Sequence, residues 1–200
     1  MPYRHVFTGR IAGLGTTSGV RLVIGMWETT PFGPFADVML EEPSGRRILL
    51  APTDEIADFI AATYTFDEVR VAPVTFRRTT DRVTLSAQRL SLAFGVGSIS
   101  PLGRLLRMVP PAFATNTTWI RAIDLIARVL VPGVRTAGSA NAGRREFYGV
   151  TRARTITDAA ATWQDRDLGS LVPLRPPVRF GFSSAPPSPQ IVDVTTTIVG

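Results

Sequence analysis

Glycine and proline interrupt this chain too often for long helices or an unbroken apolar span. It has 17 glycines and 16 prolines in 200 residues, against a combined usage of roughly 12 per cent in average proteins, and each one marks a turn, a bulge or a stop. Between the interruptions, apolar residues recur at every second position. Leu22, Ile24 and Met26 alternate with Arg21, Val23, Gly25 and Trp27, the period of a strand with two unlike faces. Two strands are therefore expected over 5–30, reversing in the Gly- and Thr-rich 13–19. A turn at Pro31-Phe32-Gly33-Pro34 and another at Glu42-Pro43-Ser44-Gly45 bound a hairpin of Phe35–Glu42 and Arg46–Ala51.

Thr53 is placed as an N-cap, with Asp54 and Glu55 beside the positive helix end. Ile56, Phe59, Ile60 and Tyr64 follow at helical spacing, so 53–64 is expected to be a helix. Glu68–Arg77 and Asp81–Gly97 read as two long strands. The second changes apolar phase between Ala87 and Leu90, which predicts a bulge near Gln88 or Arg89. Leu102–Val109 is a short basic helix candidate, and Trp119–Val131 is the clearest helix, with Ile120, Ile123, Ala127 and Leu130 on one face. Phe147–Ile156, Val178–Phe182 and Ile191–Val199 complete the strands. The pattern predicts a single α+β domain over 1–200, a curved or closed antiparallel β-barrel with two or three inserted helices.

Composition removes several kinds of chemistry. The chain has no cysteine, which excludes disulfides, thiolate metal sites and a cysteine nucleophile. The lone His5 cannot build a multi-histidine site and reads as a solvated strand residue; no metal and no cofactor is expected. The opening Met1–Arg10 stretch carries charge where a signal peptide needs an apolar core, and no run approaches the 18 or so apolar residues of a membrane helix. A cytoplasmic protein with no membrane partner is the expectation, and a homo-oligomer is left open.

All 22 basic residues are arginine, giving a formal net charge of +6. The excess is concentrated late in the chain, with nine arginines from Arg104 to Arg154 against only Asp124 and Glu146. Such a stretch attracts anions. Together with Phe113, Trp119, Phe147 and Tyr148 it offers charge and stacking surface. A nucleic-acid partner is nevertheless disfavoured, because the arginines are scattered through apolar segments and no nucleic-acid motif is present.

Two segments could carry chemistry. Glu28 to Leu40 is a turn that delivers the carboxylate of Asp37 into an apolar strand. In Gly143 to Arg152, strand alternation puts Glu146, Tyr148, Val150 and Arg152 on one face and Arg145, Phe147, Gly149 and Thr151 on the other. Two charges buried on one face are expensive unless they pair or bind something.

These stretches resemble those of the acetoacetate decarboxylases and their β-barrel relatives. Phe32-Gly33-Pro34-Phe35-Ala36-Asp37 is similar to the family's Phe-Gly-x-x-Tyr-x-Glu, one residue shorter and with Asp for Glu. Arg144 through Ala153 is similar to its Gly-Arg-Glu-x-x-Gly-x-Pro-Lys-Lys, with Arg145, Glu146 and Gly149 in register. The resemblance covers about 25 residues of the 200. As a whole the chain also resembles a conserved actinobacterial protein group sharing Gly-Arg-Arg-Glu-aromatic-Tyr-Gly and Pro-Pro-Val-Arg-Phe-Gly-Phe stretches, which implies no activity.

The family resemblance implies a Schiff-base lysine where this chain has Arg152, and a second lysine where it has Ala153. A guanidinium stays protonated and offers no nucleophilic amine, and the chain contains no lysine at all. Amine-imine decarboxylation is thereby excluded. What Arg152 can do is hold a carboxylate or phosphate through paired hydrogen bonds. The expectation is a barrel pocket for a small anionic or carbonyl-bearing molecule, bounded by Asp37, Arg145, Glu146, Tyr148 and Arg152. Its rivals are an Arg–Glu pair that merely closes the barrel end, and a lyase- or isomerase-type enzyme with Glu146 and Asp37 as acid and base.

Overall fold

The computed structural model of the protein describes residues 4–106, 137–139, 145–181 and 185–199. Its strands are β1 (Arg4–Thr16), β2 (Arg21–Thr29), β3 (Phe35–Glu41), β4 (Arg47–Ala51), β5 (Glu68–Val71), β6 (Val74–Arg78), β7 (Arg82–Ala87), β8 (Leu90–Ile99), β9 (Ala137–Ser139), β10 (Arg145–Trp163), β11 (Arg166–Asp167), β12 (Leu171–Val172) and β13 (Gln190–Val199). Two helical segments accompany them, α1 (Asp54–Ala61) and α2 (Pro101–Leu106). The strands form one sheet in the order β5-β4-β3-β2-β1-β13-β10-β8-β7-β6, with β9 and β11 on β10 and β12 on β1.

The pairs are antiparallel except β4 with β5, which run parallel because α1 carries the chain across between them. The sheet curls until β3 comes against β6. One of its faces closes on itself there: Ala12, Ile24, Val38 and Leu40 share a buried cluster with Val83, Leu85, Leu92 and Phe94. The result is a curled, half-barrel sheet, mostly strand.

Several elements differ from the sequence reading for local reasons. The phase change at 88–89 is a two-residue hairpin, with Ala87 opposite Leu90 and Gln88 at φ 49°, and not a bulge. Pro73, which has no N–H to give a ladder, separates β5 from β6 where one strand was expected. Val178–Gly181 is not a strand, and β10 extends well beyond the expected 147–156.

The expectation of two or three inserted helices is not met among the described residues. There α1 is the one helix of full length, capped by the Thr53 hydroxyl, which accepts from Ile56 N at 3.3 Å. It ends at Ala61, short of the expected residue 64, and α2 has six residues. The helix expected over 119–131 lies outside the described residues.

The other sheet face is covered by α1 and by the irregular strand-to-strand segment after β12. Phe7, Phe35, Leu49 and Ala51 pack against Ile56, Ala57 and Ile60 of the helix. The segment over 173–181 can lie flat on β1 because position 15 is glycine: a Cβ there would stand 2.7 Å from Pro173 O. It is pinned by a buried ion pair at the end of β2 and β3. Arg21 Nη2 donates to Glu41 Oε1 at 3.1 Å while Nη1 reaches Pro176 O at 3.0 Å, and Glu41 Oε2 accepts from Arg179 N at 2.9 Å. Arg21 is 5% exposed and Glu41 0%.

Removing one partner of such a pair leaves the other charge buried and unpaired. Glu41→Ala is expected to lower the unfolding free energy by about 3 to 5 kcal/mol, read from urea unfolding followed by tryptophan fluorescence. The double change Arg21→Met with Glu41→Leu should cost less than Glu41→Ala alone.

Candidate functional site

A cavity of about 170 Å³ lies between this second face and its cover. Its floor is set by pleat alternation, through Phe7 and Ile11 of β1, Val23, Gly25 and Trp27 of β2, and Phe35, Asp37 and Met39 of β3. Val192, Val194 and Thr196 of β13 continue it. Phe59, Ile60, Thr63 and Tyr64 from α1 and the turn after it form one wall, and Val178, Phe180, Ala185 and Pro186 form the roof. The roof is fixed by Thr65 N donating to Phe180 O at 2.8 Å and by Phe66 packing on Phe180 with ring centroids 5.7 Å apart.

Asp37 is the charged side chain of this lining among the described residues, and it is 2% exposed. Trp27 Nε1 donates to its Oδ1 at 2.9 Å, and that indole is held edge-on by Phe7, with ring centroids 5.6 Å apart. Position 25 is glycine for a steric reason, since a Cβ there would run into both Asp37 Oδ1 and Trp27 Nε1. Burial pushes the Asp37 carboxyl up to about 6 from 3.8, and the Trp27 hydrogen bond only partly opposes that rise. Oδ2 makes no hydrogen bond among the described residues. Thr196 Oγ1, on the same lining, is buried without a partner. An aromatic box holding one carboxyl that titrates near neutrality can bind a polar group of an otherwise apolar molecule, or move a proton.

The structure puts Asp37 and Arg152, two of the five residues expected to bound the pocket, on opposite faces of the sheet. Asp37 faces the cavity. Arg152 does not, because β10 carries a bulge at Thr151: Val150 pairs with Val194 and Arg152 with Asp193, neighbours on β13 that point to opposite faces. Val150 therefore lines the cavity, while the Arg152 side chain stands on the other face, 64% exposed, with Nε 3.8 Å from Asp193 Oδ2. A regular alternation through 146–152 was the assumption that failed. Arg145, Glu146 and Tyr148 hold β10 positions opposite Val199, Ile198 and Thr196, but their side chains lie outside the described residues.

His5 is half-buried against Phe59, with ring centroids 5.6 Å apart, and is not the solvated strand residue expected. Sequence reasoning missed Trp27, Gly25 and the roof. The signal for the first two was the Val23, Gly25, Trp27 alternation facing Phe35, Asp37 and Met39 across one hairpin.

No group of three or more His, Cys, Asp or Glu side chains converges as metal ligands among the described residues. No helix there is long and apolar enough to cross a membrane. No family model and no curated protein matches the chain. Among solved structures it is similar to the acetoacetate decarboxylase of Legionella pneumophila subsp. pneumophila str. Philadelphia 1, with a TM-score of 0.44 at 11% identity, covering 97% of this chain and 82% of that one. It is also similar to a protein described as AttH from Nitrosomonas europaea, with a TM-score of 0.31 at 13% identity, over 98% of this chain and 50% of that one.

The raised pKa of Asp37 makes stability depend on pH with a definite sign. The native state binds this proton more tightly than the unfolded chain, so stability falls as pH rises from 3.8 to about 6, and the whole cost is present above that. The cost is on the order of 3 kcal/mol at roughly 1.4 kcal/mol per pKa unit. Asp37→Asn keeps the shape and the Trp27 acceptor, so thermal unfolding should show the variant more stable than the parent at pH 8 and nearly equal to it below pH 4.

Proposed function

We propose that the protein binds a small, neutral, mainly apolar molecule bearing a carbonyl group in this cavity, with the Asp37 carboxyl as its polar anchor. The observation that carries the reading is the buried Asp37 side chain, fixed through Oδ1 by Trp27 while Oδ2 makes no hydrogen bond among the described residues. A protonated Oδ2 donates to a carbonyl oxygen, and a ligand that displaces the last water from it makes the acid form easier still to populate. The aromatic and aliphatic lining supplies the rest of the affinity by burying apolar surface. An anionic ligand is set aside, because the charged group lining the cavity among the described residues is itself a carboxylate.

A second reading draws on the same pKa. A carboxylate titrating near 6 suits general base catalysis at neutral pH. Asp37 would take a proton from the carbon next to the carbonyl, the electron pair moving to the oxygen as an enolate, and return it on the same face at another carbon of a conjugated enolate. That is isomerase-type chemistry and needs no lysine.

The test is a titration of small ketones and esters by ligand-observed NMR at pH 5 and pH 8. The acid form falls from about 0.9 to about 0.01 of the population across that range, so apparent affinity should weaken roughly a hundredfold. Asp37→Asn should bind with little pH dependence, and Asp37→Leu should lose the carbonyl preference. Binding that ignores pH and is unchanged in Asp37→Leu would overturn the reading. Deuterium exchange next to the carbonyl, present in the parent and absent in Asp37→Asn, would assign catalysis over binding alone.

A further inference from the structure

On the opposite face from the cavity, where Arg152 emerges, β10 and the β6–β7 turn enclose a polar crevice of about 60 Å³. It is lined by Arg10, Arg78, Arg152 and Arg154, with Asp193 the carboxylate among the lining residues. Arg154 is locked by backbone carbonyls: Nε donates to Gly97 O at 2.8 Å, Nη1 to Thr80 O at 2.9 Å and Nη2 to Val96 O at 3.3 Å. It therefore presents a fixed charge with no acidic partner among the described residues.

Arg10 already holds Asp193 Oδ1 at 2.8 Å through Nε, and Glu28 through Nη1. Arg78 stands 3.9 Å from the same Glu28, and Arg152 3.8 Å from Asp193, both longer than a hydrogen bond. Two carboxylates are thus shared among three guanidiniums, with Arg154 paired to neither, and two further acids stand nearby. Asp81 accepts from the Thr79 hydroxyl at 2.8 Å, and Asp158 pairs with Arg82 at 3.3 Å. The Thr79 hydroxyl leaves the Asp81 charge in place, so among the described residues the crevice keeps a net excess of one positive charge, and there the outer nitrogens of Arg78 and Arg152 make no hydrogen bond.

We infer that this crevice is a binding site for a phosphate group. A net positive crevice attracts an oxyanion, and the planar fork of a guanidinium matches the edges of a tetrahedral one with two parallel hydrogen bonds. Arg154 and Arg10 form a rigid base, since both are already held, so little ordering is needed there when the anion arrives. Arg78 and Arg152, 40% and 64% exposed in their side chains, close on it from the solvent side. The volume suits one such group and leaves any attached body outside. The site shares no residue with the carbonyl cavity, so each stands or falls independently.

Titration calorimetry with inorganic phosphate in chloride buffer, at constant ionic strength, tests the inference. The intact protein should bind phosphate, and Arg152→Glu and Arg78→Ala should each weaken it by about tenfold or more. Both side chains are exposed, so the variants should keep the parental circular dichroism, and Asp37→Leu should bind phosphate as the parent does. Phenyl phosphate binding more tightly than inorganic phosphate would assign an organic phosphate, and equal binding the free ion. Equal affinity in the parent and Arg152→Glu, or an equal response to added chloride, would overturn the site. So would a single-stranded oligonucleotide that displaces phosphate with a salt slope well above two, which would make the arginines a nucleic-acid surface.

Discussion

The buried pair of Arg21 and Glu41 ties the irregular segment over 173–181 to the ends of β2 and β3. Each charge loses its hydration at a cost of several kcal/mol, and their mutual attraction alone would do little more than offset that. The pair is stabilised because both ends are used several times over. Arg21 also serves Pro176 O and Glu42 O, and Glu41 also takes the backbone N–H of Arg179. One guanidinium and one carboxylate thus satisfy backbone groups of an irregular segment that has no ladder partners of its own. With that segment in place, Val178 and Phe180 close over the sheet, and an open apolar face becomes a cavity.

Two aspartates show how differently the fold uses the same side chain. Asp67 is at the surface, where hydrogen bonds from the Arg47 guanidinium and backbone N–H hold its carboxyl down at about 2. Asp37 is enclosed by aromatic rings, has one donor, and is pushed up to about 6. The first is an ordinary satisfied carboxylate. The second is kept under a desolvation cost that Asn or Leu would remove, and a polar group retained at such a cost inside a cavity is the usual mark of a working site.

Much of this was legible in the sequence, and the failures have a common origin. Alternation along 21–27 and 35–41 gave the strands of the cavity floor, and Thr53 with Asp54 and Glu55 gave the start of α1, because these patterns are local. Asp37 stood out as a carboxylate between apolar neighbours in a strand. At 88–89 the change of apolar phase was visible, yet a bulge and a two-residue hairpin both produce it, and only the pairing of Ala87 with Leu90 separates them. The Val178–Phe182 stretch has strand composition, but its described residues 178–181 are held by hydrogen bonds with Glu41, Arg47 and Thr65, far away in sequence. No local signal carries that information.

The bulge at Thr151 shows how much one residue decides. Side-chain direction in a strand has a period of two, so an extra residue transfers everything after it to the other face. Without it, Arg152 would take the cavity face after Val150 and bring a guanidinium into a mainly apolar space. With it, the arginine joins Arg10, Arg78 and Arg154 on the far side of the sheet, where the excess positive charge meets solvent. The two faces of one sheet are thereby separated by sign. A mainly apolar pocket holding one buried carboxyl lies on one side and a cationic crevice on the other, with the β10 backbone between them.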